Sequence, residues 1–343
     1  DRRFTYTELD DRSARLARVL ADHGLGCHTE RDTLEPWESG QDMVALYLHN
    51  GPEYIEGMIG GWKARTVPFN VNYRYVAEEL EALLLDAGAT AIVYHARFTP
   101  VLAAIRDRLP DLRLLLQVAD DSGEPLLDEA LDYEAALAAA APLPPRADRI
   151  PDDLYCVYTG GTTGLPKGVL WRQADIWVAA MGGSDPRDGR GFPSIEAAVQ
   201  NATGERVFPD MIAAPLMHGA GHWLAFLALC AGNPVVFGHV VDRLDPADVL
   251  GTIERERCAF IIVVGNAFGR PLLDELDRAA AAGEPYDLSS LSVLATGGTA
   301  MTAGVKGEFL AHRPGLRLID SMGASETGAQ GRDPDVGLAP EHA

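Results

Sequence analysis

Short apolar runs alternate with stretches whose apolar residues recur at helical spacing. Leu9, Leu16 and Leu20 share one helical face until Gly24, and Thr7 followed by Asp10 has the form of a capping box with aspartate in the acidic position. Together they predict a helix over about 7–22. Residues 43–48 form a continuous apolar run of strand length, and Pro52 sits where the first turn of a helix accepts proline, so a helix to about Ala64 follows. The alternation continues with a helix near 76–87, a strand at 91–94, a helix near 98–109 and a strand at 112–118. Strands that are apolar throughout, separated by amphipathic helices, imply parallel sheet covered on both faces: an α/β architecture.

From 136 to 152 an alanine run passes into a proline-rich segment that suits neither regular helix nor central strand, and it reads as a connection into a strand at 154–158. That strand ends at a glycine-threonine loop, the position where open α/β sheets place ligands. Residues 182–206 are rich in Gly, Asp, Ser and Arg and predict an exposed loop. Apolar strands resume at 211–216, 234–237, 260–264, 292–294 and 316–319, with helices near 220–230, 245–256, 268–281 and 303–312. This predicts a second sheet-and-helix unit. No period of 20 to 50 residues indicates a repeat protein.

Composition narrows the class. With 343 residues, 47% hydrophobic and 23% charged, the chain can bury a large core, and no apolar run reaches the eighteen or so residues that span a bilayer. A formal charge of −21 argues against nonspecific nucleic-acid binding and against a polybasic membrane surface. An anionic nucleotide would then be held by local donors and a metal. Cys27, Cys156, Cys230 and Cys258 are scattered, with no paired spacing, which fits a reducing cytoplasm. The first residues lack the charged and apolar regions of a secretory leader.

Candidate chemistry gathers at residues 158–168. Four glycines let the backbone turn N–H groups toward an anion, threonines add hydroxyl donors, and Lys167 adds charge on a flexible stem. The common nucleotide loop needs Gly-Lys-Ser/Thr, which is absent because Lys167 lies between Pro166 and Gly168. A flexible surface loop is the bland alternative, yet the chain has only three lysines (Lys63, Lys167 and Lys306), so one inside this loop is informative. His218 and His222 are four apart, but the zinc-protease helix needs a glutamate after its first histidine, where this chain has Gly219. A structural histidine remains the competing reading for each. Gly297-Gly298-Thr299 taken alone is a strand-to-helix turn, and Glu326 taken alone is a loop carboxylate.

Tyr158 to Gly168 resembles the phosphate loop of the adenylate-forming superfamily, which comprises acyl-CoA synthetases, luciferases and peptide-synthetase adenylation domains. The family pattern Tyr/Phe-Thr-Ser-Gly-Thr-Thr-Gly-x-Pro-Lys-Gly is matched throughout except at Gly160, where serine is usual. Residues 215–221 resemble a second motif, Pro-Leu-Phe-His-x-x-Gly, with Met217 for the aromatic and His218 kept. Residues 297–301 resemble Gly-Gly-Ala-Pro-Leu, and 320–326 resemble Asn/Gln/Asp-x-Tyr-Gly-x-Thr-Glu with Asp320, Gly323 and Glu326 kept. The resemblance implies that Thr159, Gly160, Gly161, Thr162, Thr163, Gly164 and Lys167 hold the phosphates of ATP. It places Gly297, Gly298, Thr299, Asp320, Ser321, Met322, Gly323 and Ser325 around the nucleotide, with Met322 covering the base where the family has a ring. Glu326 would bind Mg²⁺, and His218 would help position the carboxylate.

The implied reaction joins a carboxylic acid to ATP as an acyl-adenylate with release of pyrophosphate, after which the thiol of coenzyme A displaces AMP. Residues 70–75, the Gly160-Gly161 form of the loop and Val169 to Arg172 resemble actinobacterial fatty-acid and steroid-side-chain CoA ligases. Acyl-pocket candidates are His218, Trp223, Ala225, Phe226, Gly265 and Phe268, with ordinary core packing an equal reading of Trp223 and Phe226. The family continues past Glu326 into a ribose-binding segment, a hinge and a small C-terminal domain with a lysine needed for adenylation. The expectation is therefore the large N-terminal domain of an AMP-binding enzyme, poorly active alone and lacking a family N-terminal helix and strand. Its expected subdomains are 26–172 and 173–330, with 1–25 packing on the second. Transfer of the acyl group to a carrier protein and a noncatalytic nucleotide-binding role stay open, as do a homodimer and the identity of the acid.

Overall fold

A computed structural model describes residues 2–160, 166–186, 188–203 and 207–333, with side chains through 330. The chain divides into two compact units, 1–175 and 176–343.

In the first unit, helix α1 (Tyr6–Asp22) leads to strand β1 (Met43–Tyr47), α2 (Pro52–Lys63), β2 (Val67–Asn70), α3 (Ala77–Asp86), β3 (Ala89–His95), α4 (Thr99–Ala103), β4 (Leu114–Val118), β5 (Leu131–Asp132) and α5 (Tyr133–Ala139). Strands β2-β1-β3-β4-β5 form a parallel sheet in that order. Strands β1 and β4 are buried along their whole length, as an apolar run covered on both faces requires. On one face Ala45, Tyr47, Phe69, Leu80, Ile92, Tyr94, Leu102 and Leu115 share a core, with Tyr47 stacked on Phe98 at 4.1 Å.

The α1 capping box is Thr5 with Glu8, not Thr7 with Asp10. The Thr5 N–H donates to Glu8 at 2.7 Å and the Glu8 N–H donates to the Thr5 hydroxyl at 3.2 Å, because Thr5 is the N-cap and the longer glutamate side chain reaches back to it, while Thr7 already lies inside the helix. Helix α1 packs on α2 and α5, correcting the expectation that 1–25 lies on the second unit. The reason is a buried carboxylate: Glu56 of α2 accepts from Arg12 of α1 at 2.7 Å and from the Tyr133 hydroxyl at 2.7 Å. The helix expected at 98–109 breaks into α4 flanked by 3₁₀ turns at Ala96–Phe98 and Arg106–Arg108.

Strands β6 (Leu154–Thr159) and β7 (Lys167–Arg172) pair antiparallel in a sheet of their own. The strand expected at 154–158 is present, and its hydrogen-bond partner is the strand that returns after the glycine-threonine loop. Helix α6 (Gln173–Ala180) crosses into the second unit.

There follow α7 (Ile195–Ala202), β8 (Asp210–Ile212), α8 (Gly219–Cys230), β9 (Val235–Val236), α9 (Pro246–Glu256), β10 (Phe260–Val263), α10 (Gly265–Ala281), β11 (Val293–Thr296), α11 (Ala303–His312), β12 (Arg317–Ala324) and β13 (Gly328–Asp333). The sheet order is β13-β12-β11-β10-β8-β9, parallel except for the β12–β13 hairpin. Met211, Ile253, Ile261, Val263, Leu273, Leu294, Phe309 and Leu318 lie in its core. Helix α7 falls inside the segment expected to be a loop; Ser194 caps it by accepting from the Ala197 N–H at 3.3 Å.

Candidate active site

Thr159, Gly160 and Lys167 sit at the ends of β6 and β7, whose register sets Thr159 opposite Lys167 and Tyr158 opposite Gly168. Lys167 and Gly160 are exposed and Thr159 is half-buried; Gly161, Thr162, Thr163 and Gly164 lie outside the described residues. The base of the hairpin is fixed by burial. At its start Asp153 accepts from the buried Arg65 at 2.8 Å, and Arg65 also pairs with Glu30 at 2.9 Å. At its far end the Asn70 amide bonds the Tyr158 backbone. The Tyr158 hydroxyl donates to Asp86 at 2.8 Å, and burial together with that carboxylate pushes the phenol above its usual range. A Cβ at Gly168 would lie 2.9 Å from the Tyr158 ring, so glycine there allows the ring to cross β7.

A second group gathers at the carboxyl edge of the six-stranded sheet. Ile212 pairs with Ile262, Val263 with Thr296, and Thr296 with Asp320, so β8, β10, β11 and β12 reach this edge at neighbouring levels. Behind them come His218, Gly265, Gly297 to Thr299, and Ser321 to Glu326. Such an edge is where open α/β sheets hold ligands. The loops are tied together: Thr296 Oγ1 accepts from the Gly265 N–H at 2.8 Å and donates to the Thr299 carbonyl at 3.2 Å. Asn266 Oδ1 accepts from the Thr302 N–H at 3.0 Å, which holds the start of α11 against α10.

His218 is exposed at the N-cap of α8. His222 is buried, with Nδ1 2.9 Å from the Leu216 carbonyl, and burial lowers its pKa to about 4. It is a neutral core residue. Trp223, Ala225 and Phe226 are buried in the second unit, in keeping with the packing reading, while Phe268 is half-buried on the same core as Val305 and Phe309. Gly298, Thr299, Met322 and Gly323 are exposed, Gly297 is buried, and Ser321 and Ser325 are half-buried. Glu326 is exposed in the turn between β12 and β13. Thus the second-unit candidates, apart from Trp223, Ala225 and Phe226, are brought to one sheet edge. Sequence reasoning missed Asn70, Asp86, Thr296 and Lys306. A polar residue closing the apolar run 67–69 marks Asn70, and Lys306 is one of three lysines.

Two observations test the fit to a nucleotide and its metal. Asp320 Oδ2 accepts from Lys306 at 2.5 Å, and Oδ1 is buried without a donor among the described residues, an acceptor suited in kind to an amino or hydroxyl group. No cluster of three His, Cys, Asp or Glu side chains able to cage a metal occurs among the described residues. No helix among them is long and apolar enough to cross a membrane.

The profile of the AMP-binding enzyme family matches residues 1–339. The medium-chain acyl-CoA ligase Mig of Mycobacterium avium is 49% identical over 96% of this chain and 59% of its own length. The 3-oxocholest-4-en-26-oate–CoA ligase of Rhodococcus rhodochrous is 33% identical over 98% of this chain and 58% of its own. Among solved structures, the anthranilate CoA ligase AuaEII with anthranoyl-AMP superposes with a TM-score of 0.78 over 99% of this chain and 59% of that one, at 19% identity. A Mycobacterium tuberculosis fatty acyl CoA synthetase gives 0.70 over 95% of this chain and 55% of that one, at 20% identity. The chain thus spans less than two thirds of each relative's length.

Proposed function

The chain belongs to the AMP-binding enzyme family, and from that premise we propose that its protein is an AMP-forming acid–CoA ligase acting on medium-chain or steroid side-chain acids. A free carboxylate is a poor electrophile, so its oxygen attacks the α-phosphorus of ATP and pyrophosphate leaves. Coenzyme A thiolate then attacks the acyl carbon and AMP leaves. Little acid–base chemistry is needed; the demand is for positioning and for neutralising phosphate charge.

Lys167, Thr159 and the backbone at Gly160 are the donors for the β- and γ-phosphates, joined in this reading by Gly161, Thr162, Thr163 and Gly164. Glu326 is the carboxylate for Mg²⁺, whose charge when bound offsets that of the phosphates. Gly297 to Thr299 and Asp320 to Ser325 form the nucleotide-side backbone, and His218 orients the acid. The observation that carries the reading is the joining of the Gly265 and Thr299 loops through Thr296 at the carboxyl edge, beside an Asp320 oxygen that lacks a donor among the described residues. The relatives' names supply the acid class.

The test is acid-dependent exchange of pyrophosphate into ATP by the whole protein, followed by thioester formation with coenzyme A. The panel covers medium-chain, long-chain, aromatic and 3-oxo-steroid acids. Exchange with a medium-chain or steroid acid and AMP release that needs coenzyme A are expected. No exchange with any acid refutes adenylation, and AMP release that needs a carrier protein refutes the acceptor.

A further inference from the structure

We infer that Asn70 is a positioning residue for the phosphate-binding end of the β6–β7 hairpin, an inference that rests on the ligase reading for its catalytic consequence. Asn70 ends β2, is 4% exposed, and pairs with Leu46 of β1, so its backbone belongs to the parallel sheet. Its side chain serves the hairpin. Nδ2 donates to the Tyr158 carbonyl at 2.8 Å and Oδ1 accepts from the Tyr158 N–H at 2.8 Å, so one carboxamide satisfies both polar groups of one residue. A carboxamide offers a donor and an acceptor at that span at any pH, whereas a carboxyl does so only when protonated.

Tyr158 is one residue from Thr159, which faces Lys167 across the hairpin, and Gly168, its own partner, adjoins Lys167. The ring of Tyr158 is held as well, by its hydroxyl bond to Asp86 and by its passage over Gly168. The exposed lysine therefore rises from a base locked to the buried sheet. Lys167 has a long, flexible side chain, and a fixed root reduces the freedom it must lose when it meets phosphate.

The experiment compares Asn70→Ala and Asn70→Asp with wild type in the whole protein. Backbone amide exchange is read at 157–159 and 167–169, and KM is read for MgATP and for the acid in pyrophosphate exchange. Loss of both bonds in Asn70→Ala should speed amide exchange at those residues while β1 and β3 stay protected. It should raise KM for MgATP about tenfold, the equivalent of one to two net hydrogen bonds, with KM for the acid within twofold. Asn70→Asp gives a sharper signature. Its carboxyl can accept from the Tyr158 N–H in either state but can donate to the Tyr158 carbonyl only when protonated. Its KM for MgATP should approach wild type as pH falls and diverge as pH rises, with wild type as the reference at each pH.

Unchanged amide exchange in Asn70→Ala, or an Asn70→Asp to wild-type ratio flat with pH, overturns the inference. If Asn70→Ala does not fold, the pH series of Asn70→Asp decides alone. If wild type exchanges no pyrophosphate with any acid, the ligase reading fails, and amide exchange at the hairpin, followed against pH in Asn70→Asp, still decides whether Asn70 sets it.

Discussion

Gly265→Ala is the substitution whose cost is most directly readable from the geometry. Gly265 opens α10 with φ +47°, in the left-handed region, and its N–H donates to Thr296 Oγ1. A Cβ there would lie 2.1 Å from Thr299 Oγ1 and 2.9 Å from both the Thr299 and Ala300 carbonyl oxygens. The left-handed conformation costs alanine about 1 to 2 kcal/mol. The contacts force the 297–300 loop away, and loss of the Gly265-to-Thr296 bond adds about 1 kcal/mol. The sum is about 3 kcal/mol, which in a unit of this size shifts Tm by roughly 6 to 12 °C.

The assay is thermal unfolding with a probe in the second unit, alongside KM for MgATP. A double-mutant cycle separates the terms. Thr299→Ala removes the atom at 2.1 Å but neither carbonyl nor the positive φ, so Gly265→Ala with Thr299→Ala should recover part of the loss. KM for MgATP should rise in Gly265→Ala if, as proposed, the displaced backbone serves the nucleotide side. Melting within 1 °C of wild type, or strict additivity in the cycle, refutes the claim that Gly265 lets these loops lock.

Asp210 is buried at the start of β8 with the Asn233 amide at 3.2 Å, and burial pushes its carboxyl up to about 6. A raised folded pKa means that stability falls as pH rises from about 4 to 6; Asp210→Asn should therefore stabilise by about 2 to 3 kcal/mol above pH 6 and by little below pH 4, read by urea unfolding at both pH values. For His222 the sign is opposite to that of Asp210. Its folded pKa of about 4 lies below the unfolded 6.5, so about 3 kcal/mol is present above pH 6.5 and lost as pH falls to 4, and His222→Asn should flatten that slope by one proton. Lys167→Ala should slow adenylation at least tenfold with Tm within about 1 °C, since the side chain is exposed; equal rates remove Lys167 from the phosphate site.

What the sequence made legible was what is local. Apolar runs of strand length at 43–48 and 260–264 lie in the parallel sheets, buried throughout in β1 and from Ile261 to Val263 in β10, as strands covered on both faces are. Gly219 after His218 argued against a zinc helix from the sequence; in the structure His222 Nδ1 lies 2.9 Å from the Leu216 carbonyl. Illegible were pairings whose partners lie far apart in the chain. Nothing near Asn70 names Tyr158, 88 residues on, and nothing near Arg12 names Glu56. The strand at 154–158 was correct as a strand, but its neighbours depend on where the chain returns, which periodicity does not encode. Helix α7 was hidden by polar, glycine-rich surroundings, although Ile195, Ala198 and Val199 recur at helical spacing.

The two groups of candidate residues are supported differently, and the difference bears on how each would fail. At the sheet edge the candidates take part directly in the contacts that set geometry: Gly265 donates to Thr296, which donates to Thr299, and Asp320 accepts from Lys306. Substitution there disturbs chemistry and stability together. On the hairpin Lys167 and Gly160 are exposed, while the fixing contacts belong to Asn70, Asp86, Arg65 and Asp153 in the layer beneath. Charge can then be removed at Lys167 with little loss of fold, and register can be loosened at Asn70 with Lys167 intact. If both changes raise KM for MgATP but only the second speeds amide exchange, position and charge are separate contributions to holding phosphate.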